Sequence, residues 1–223
     1  MIESRNWWNK GSALGAETEE LSRIVATSTT VFGWREGEAL TEIALVSWSL
    51  RNDATIVEIG SFMGRSSAVL AGARRMRGSG TVHCVDPFDC SGDAFSVPHY
   101  VDALKATGAT SLEEVFRWNM SRLGIASWIE IHRGTARDVG TRWSSPIDLL
   151  LLDGDQSERG AQEAYETWIP FLSPGGTLIL GNIHDLPSKG HDGNSRLAER
   201  ELKPPLYSSV RRVGSTVFAT KTF

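Results

Sequence analysis

The chain predicts an α/β architecture: a doubly wound, mostly parallel sheet of seven strands with an antiparallel strand at its C-terminal end and helices on both faces. Three observations lead there. Short apolar, β-branched runs alternate with helix-length stretches, the order that builds a parallel sheet through helical crossovers. Successive runs end in polar or small residues. The last two runs face each other across Gly214 as a hairpin, which turns the final strand antiparallel.

The elements follow in order. Glu17–Ser28 and Glu36–Leu50 read as two helices. In the second, Leu40, Ile43, Ala44, Val46 and Ser47 recur at helical spacing, and Glu36, Glu38 and Glu42 sit where the helix dipole favours acids. Gly33–Gly37 between them has the composition of a hinge.

Thr55–Ile59 is the first strand, followed by a turn with Gly60 and Gly64. The next helix covers Arg65–Met76 and stops at Gly78. Thr81–Val85 is the second strand and ends at Asp86. The stretch Pro87–Thr110, rich in Gly, Asp, Ser and Pro, breaks the periodicity and reads as an irregular functional loop or lid.

Ser111 and Glu114 have capping-box spacing at the head of a helix that reaches Leu123. Trp128–His132 is strand three and Ile147–Leu152 strand four, closed by Asp153-Gly154-Asp155. A helix covers Glu158–Phe171. Pro174-Gly175-Gly176 turns into strand five, Thr177–Leu180, which ends at Gly181-Asn182. A short helix at Ser195–Leu202 precedes the hairpin strands Tyr207–Val213 and Ser215–Thr220.

With 223 residues the chain suffices for one sizeable core, and no linker divides it. The expectation is a single domain over 1–223, with residues 1–50 as an N-terminal helical cap on a cofactor-binding sheet at 51–223. A formal charge of −4 argues against nucleic acid as a partner. The N-terminus does not read as a signal peptide, and no apolar run approaches a membrane span. Two cysteines, Cys84 and Cys90, make no disulfide framework. A cytoplasmic protein is the simple reading. The eight tryptophans are scattered, which suits core or lid packing, and the N-terminal helices leave a homodimer open.

In an open parallel sheet, ligands bind outside the carboxyl ends of the strands, where the strand order reverses. Here those ends carry Glu58-Ile59-Gly60, Asp86, Gly134-Thr135, Asp153-Gly154-Asp155 and Gly181-Asn182. A carboxylate such as Asp86 at the end of strand two can accept both hydroxyls of a ribose. It would serve a nicotinamide cofactor as well. However, the Gly-x-Gly-x-x-Gly spacing that holds a dinucleotide pyrophosphate is missing, because Phe62 stands two residues after Gly60.

Four stretches then come together: Glu58-Ile-Gly-Ser-Phe-Met-Gly-Arg-Ser, Val85-Asp-Pro-Phe88, Asp148-Leu-Leu-Leu-Leu-Asp-Gly-Asp155 and Leu172-Ser-Pro-Gly-Gly-Thr-Leu. In this order the chain resembles the class I S-adenosylmethionine-dependent methyltransferases, with their Rossmann-like sheet. Within them it is similar to the bacterial group of sugar and natural-product O-methyltransferases and cephalosporin-hydroxylase-like proteins.

The resemblance implies methylation of a hydroxyl on a small-molecule acceptor, a sugar or secondary metabolite, with S-adenosylmethionine as cofactor. It implies that Glu58, Gly60, Ser61, Gly64 and Ser66 surround the methionine end of the cofactor. Asp86 would hold the ribose, Pro87 and Phe88 would lie near the adenine, and Thr135 and Ala136 at its edge. Asp153 would stand near the sulfonium and the acceptor as a catalytic residue. Relatives that use Mg²⁺ place ligands after strands four and five, which implies Asp153 and Asn182 here, with Asp155 or Asp185 as additions. Gly181 stands where a further ligand is expected, and Gln156 replaces the histidine of the group's Asp-Gly-Asp-His. His184 is the substitute general base of choice, ahead of His99 and His191. His83 and His132, within strands, read as structural. Two alternatives stay open: a nicotinamide-dependent oxidoreductase, and a cofactor-binding protein without turnover.

Overall fold

The structure is a computed structural model, and it describes residues 13–35, 37–185 and 190–223. Glu36, the expected start of the second helix, lies outside them, as do Trp7, Trp8 and Lys189. Five parallel strands form the heart of the fold: β1 (Thr55–Ile59), β2 (Thr81–Asp86), β3 (Ile129–Arg133), β4 (Ile147–Leu152) and β5 (Leu172–Leu180). The hairpin β6 (Tyr207–Val213) and β7 (Thr216–Lys221) closes one edge, with β7 antiparallel to β5. The order is β3-β2-β1-β4-β5-β7-β6, so the sequence of strands reverses between β1 and β4.

Side-chain alternation divides the strands between two cores. On one face Ile56, Val82, Cys84, Leu149, Leu151, Ile179 and Phe218 meet α1 (Ala13–Ser28), α2 (Glu38–Ser49), α3 (Arg65–Arg77) and α5 (Leu112–Arg122). On the other face Val57, Ile59, Val85, Leu150, Leu152, Leu178 and Leu180 meet α6 (Ala136–Gly140), α7 (Glu158–Trp168) and α8 (Gly193–Glu201). The nearly continuous apolar runs of β1 and β4 follow from this burial on both faces.

One expectation on the helices needs correction. The stretch Pro87–Thr110 is not wholly irregular, because Ser96–Thr107 is a helix, α4. Pro98 reads as a breaker but lies in the first turn, where its missing N–H costs no hydrogen bond. The N-terminal helices α1 and α2 share their core with α3 through Leu21, Ile24, Leu40 and Ile43 and so cover one face of the sheet. Only the connection between them, Val31–Arg35, reaches over the strand ends. Arg74, which reads as a dipole-friendly surface cation, is buried instead. Its guanidinium donates to the carbonyls of Ser79, Ser47 and Arg51, tying α3 to the end of α2.

No described helix is long and apolar enough to cross a membrane.

Candidate active site

A cavity of about 530 Å³ opens over the carboxyl ends of β1 and β4, where the strand order reverses. Its floor is Ile59-Gly60-Ser61 from β1 and Asp153-Gly154 from β4. The two chains touch there: a Cβ on Gly60 would stand 2.5 Å from both the Cα and the N of Gly154. Gly60 also has φ of +87°, in the left-handed region that a residue without Cβ enters freely.

Several loops round the cavity hold non-glycine residues in that same region: Phe62 (φ 51°) after β1, Cys90 (φ 62°) after β2 and Asn182 (φ 56°) after β5. All three line the cavity. Strain of this kind, about 1–3 kcal/mol per residue, persists where the surroundings enforce it, and it gathers at ligand sites.

Asp86 ends β2 at the cavity wall. Its Oδ2 accepts the Phe62 N–H at 2.8 Å and its Oδ1 the Phe88 N–H at 2.6 Å, so it joins the β1 and β2 loops. Burial pushes its carboxyl above the usual range, against the pull of these two N–H donors. Pro87, Ser61, Ser66, Thr135 and Ala136 also line the cavity. Thr135 caps α6, with its hydroxyl accepting from the Asp138 N–H and the Asp138 carboxylate answering. The Thr-x-x-Asp spacing is a signal in the sequence that announces this short helix.

Other expected residues lie elsewhere. Glu58 is fully buried beneath the floor, because it points to the α3 side of β1, where Ser67 and Cys84 donate to Oε2. Burial raises its carboxyl, opposed by the hydroxyls of Ser66, Ser67 and Ser61. Gly64 precedes α3 with φ of +98°, and a Cβ there would meet Met120 Cε at 2.5 Å, so its bareness serves helix packing. Phe88 turns into the core against Phe116, 5.4 Å between ring centroids. Gln156 is buried below the cavity, with no hydrogen-bond partner for its amide.

His184, the expected base, is exposed and does not line the cavity; its backbone N–H donates to Ser195 while its ring leans towards His191. His191 itself is held by Asp93 at 3.1 Å. Asp93 clamps the loop before α4, accepting also from the N–H groups of Phe95, Ser96 and Gln156. Burial alone would raise its carboxyl, but the His191 and Ser96 hydrogen bonds hold it down at about 2. A depressed carboxylate stabilises the fold above its unfolded value near 3.8, and that stabilisation is lost as the pH falls through about 2. The stability gap between wild type and Asp93→Asn is therefore expected to shrink by about 2 kcal/mol from pH 5 to pH 2, read by urea denaturation.

The residue that the sequence does not reveal is Arg35. From the α1–α2 connection its guanidinium reaches Asp153 Oδ2 at 2.5 Å and Thr216 Oγ1 at 2.5 Å, while its Nε is buried without a partner. The side chain is 7% exposed. Asp153 Oδ1 accepts from the Asn182 amide at 3.1 Å. Gly181 makes room: a Cβ there would lie 2.1 Å from Asp153 Oδ1 and 2.2 Å from the Arg35 guanidinium. Beside this pair stands an aromatic rim, Phe32, Trp34, Phe62 and Tyr100, with Trp34–Phe62 and Phe62–Tyr100 each at 5.0 Å.

A family model described as a methyltransferase domain matches residues 57–183, from within β1 to just past β5. The chain belongs to this methyltransferase family. Three solved structures are similar in fold. The O-methyltransferase from Bacillus cereus, in complex with SAH, is 17% identical, with a TM-score of 0.60 over 93% of this chain and 91% of that one. The O-methyltransferase TomG from Streptomyces achromogenes, involved in tomaymycin synthesis and solved with SAM, is 19% identical, with a TM-score of 0.60 over 92% and 90%. The SAH-bound methyltransferase PaMTH1 from Podospora anserina is 11% identical, with a TM-score of 0.63 over 95% and 94%.

Within this methyltransferase the donor set does not fit a hard divalent ion, which seeks six or more oxygens. Both Asp153 oxygens are engaged, one by a cation and one by an amide N–H. Gly181 offers no side chain, Asp185 is paired with Arg212, and Asp155, which lines the cavity, accepts the Ser157 N–H at 2.8 Å. Asp153 and Asn182, the expected ligands, thus bond directly to each other, with Arg35 on the second Asp153 oxygen.

Proposed function

We propose that this methyltransferase carries the methyl group of S-adenosylmethionine to a hydroxyl oxygen of a small molecule, a sugar or a secondary metabolite. It would do so in one domain spanning 1–223 and in the cytoplasm, where the free Cys84 and Cys90 stay reduced. The observation that carries the reading is Asp86: a carboxylate ending β2, at the wall of a switch-point cavity whose floor is a bare Gly60. A nucleoside can lie against such a floor, with Asp86 accepting its ribose hydroxyls and Thr135 and Ala136 at the base.

The N-terminal turn of α3, with Ser66, faces the same cavity and suits the carboxylate of a methionyl group. Once bound, the cofactor supplies an electrophilic methyl, so what the chain must provide is alignment and help with the acceptor's proton. The aromatic rim holds the acceptor and keeps water out. Asp153, which lines the same cavity, serves as the base, and the buried Arg35 supplies the positive charge that favours the acceptor oxygen as its proton leaves. Arg35 takes the electrostatic place that a metal ion would otherwise have.

Calorimetry tests this directly. S-adenosylmethionine and its demethylated product are expected to bind one per chain, and Asp86→Ala to weaken both about 10- to 100-fold, as loss of a charged hydrogen-bond acceptor does. No heat with either compound, or saturable binding of NADH in their place, would overturn the assignment.

A further inference from the structure

Away from the cavity, the outer part of the sheet brings three metal-ligating side chains to one point. The parallel register pairs His83 of β2 with Glu130 of β3, and His132 follows two residues later. Alternation along the strands puts all three on the face occupied by Trp143. Among the described residues this is the only group of three or more His, Cys, Asp or Glu whose ligand atoms all lie within 4.8 Å of one another.

The distances have the shape of a coordination site. His83 Nδ1 and His132 Nε2 are 3.0 Å apart, and the Glu130 carboxylate lies beside both, Oε2 at 3.5 Å from His83 Nδ1 and Oε1 at 3.5 Å from His132 Nε2. A tetrahedral zinc ion with bonds of about 2.0–2.2 Å holds its ligands about 3.3–3.6 Å from one another. One ligand atom from each of the three residues lies within 4.8 Å of the other two, so a small parting of the rings and a turn of the carboxylate bring them to one face of that tetrahedron. Hydrogen bonding explains the cluster less well. The two rings stand at hydrogen-bond distance from each other, but the carboxylate is too far from either ring for a good hydrogen bond, so hydrogen bonding leaves the place of Glu130 unexplained.

The surroundings favour ligation. Trp143 stands edge-on to both rings, at 4.9 and 5.7 Å, and its indole N–H is anchored on the Ser145 carbonyl at 2.7 Å. Glu130 is 58% exposed, so ions have a path in and water can take the fourth position.

We propose that His83, His132 and Glu130 bind a divalent metal ion of the zinc type, with solvent as the fourth ligand. The ion clips the edge strand β3 to β2. None of the three lines the cavity, and His83 precedes Asp86 by about 10 Å along the strand. The site is thus separate from methyl transfer.

The test is a titration of the full chain, stripped with chelator, with ZnCl2 by calorimetry and with CoCl2 by visible absorption. One ion per chain is expected, with the intense bands of four-coordinate cobalt and a rise in melting temperature. His132→Ala and the double variant His83→Ala/His132→Ala should lower the zinc affinity at least ~100-fold, and Glu130→Gln less. Asp153→Asn, in the cavity, should leave it unchanged. Absence of stoichiometric uptake would overturn the proposal, as would uptake that survives in the double variant or disappears with Asp153→Asn. Circular dichroism shows which variants fold, and His132→Ala, on the edge strand, decides the matter if the double variant does not.

Discussion

Arg35→Ala is expected to lower the rate of methyl transfer about 100- to 1,000-fold while S-adenosylmethionine still binds. The guanidinium touches Asp153 and Thr216 and lines the cavity, so under the proposed mechanism its removal takes away the positive charge that favours the acceptor oxygen. It also strands Asp153, whose side chain is 18% exposed, and breaking a pair this far buried costs about 3 kcal/mol of stability. Arg35→Lys should not restore the rate, since an ammonium cannot reach Thr216 and Asp153 with one planar fork. Gly181→Asp tests the same geometry from the other side, because its Cβ would displace the pair. Combined with Arg35→Ala it should create Mg²⁺ binding that wild type lacks, read by calorimetry. Stoichiometric Mg²⁺ uptake by wild type, abolished by Asp153→Asn, would show that Arg35 has not taken the metal's place.

Gly60→Ala is expected to destabilise the fold by about 3 kcal/mol or more and to eliminate cofactor binding. Two costs combine there. A Cβ in the left-handed region costs about 1–2 kcal/mol. This one would also sit 2.5 Å from the Gly154 backbone and 2.6 Å from the Asp153 carbonyl, which are held by the sheet and cannot move aside. Gly214→Ala separates the two, since φ there is +57° and nothing lies within 4 Å of the added Cβ. It should show only the first cost. Equal urea midpoints for the two variants would mean that β1 and β4 can spread and that the close approach is not what demands glycine.

The sheet was readable because its signals are local. Ile147–Leu152 is an apolar strand broken only at Asp148, with Asp153 directly after it, and the alternation of strands with helices admits few topologies. The Gly60 turn and Asp86 follow from the same logic, since they stand at strand ends near the reversal of strand order. Helix α4 was hidden because Phe95 gives it no side-chain cap and Pro98 suggests a break. Glu58 and Gly64 stand in the motif but face away from the cavity, one turned under β1 and the other pressed on Met120. One residue of register separates the floor of the site from the core beneath it.

From residues alone came the alternation of elements, the direction of the strands and the polar groups at their ends, because these depend on neighbours in the chain. Tertiary structure decided the charge balance of the site. Arg35 and Asp153 are 118 residues apart, and neither carries a local mark of the other. The same holds for His83 and His132, 49 residues apart and joined only through the register of β2 and β3. Electrostatic partners are chosen by distance in space, and distance in space is what a list of residues does not contain.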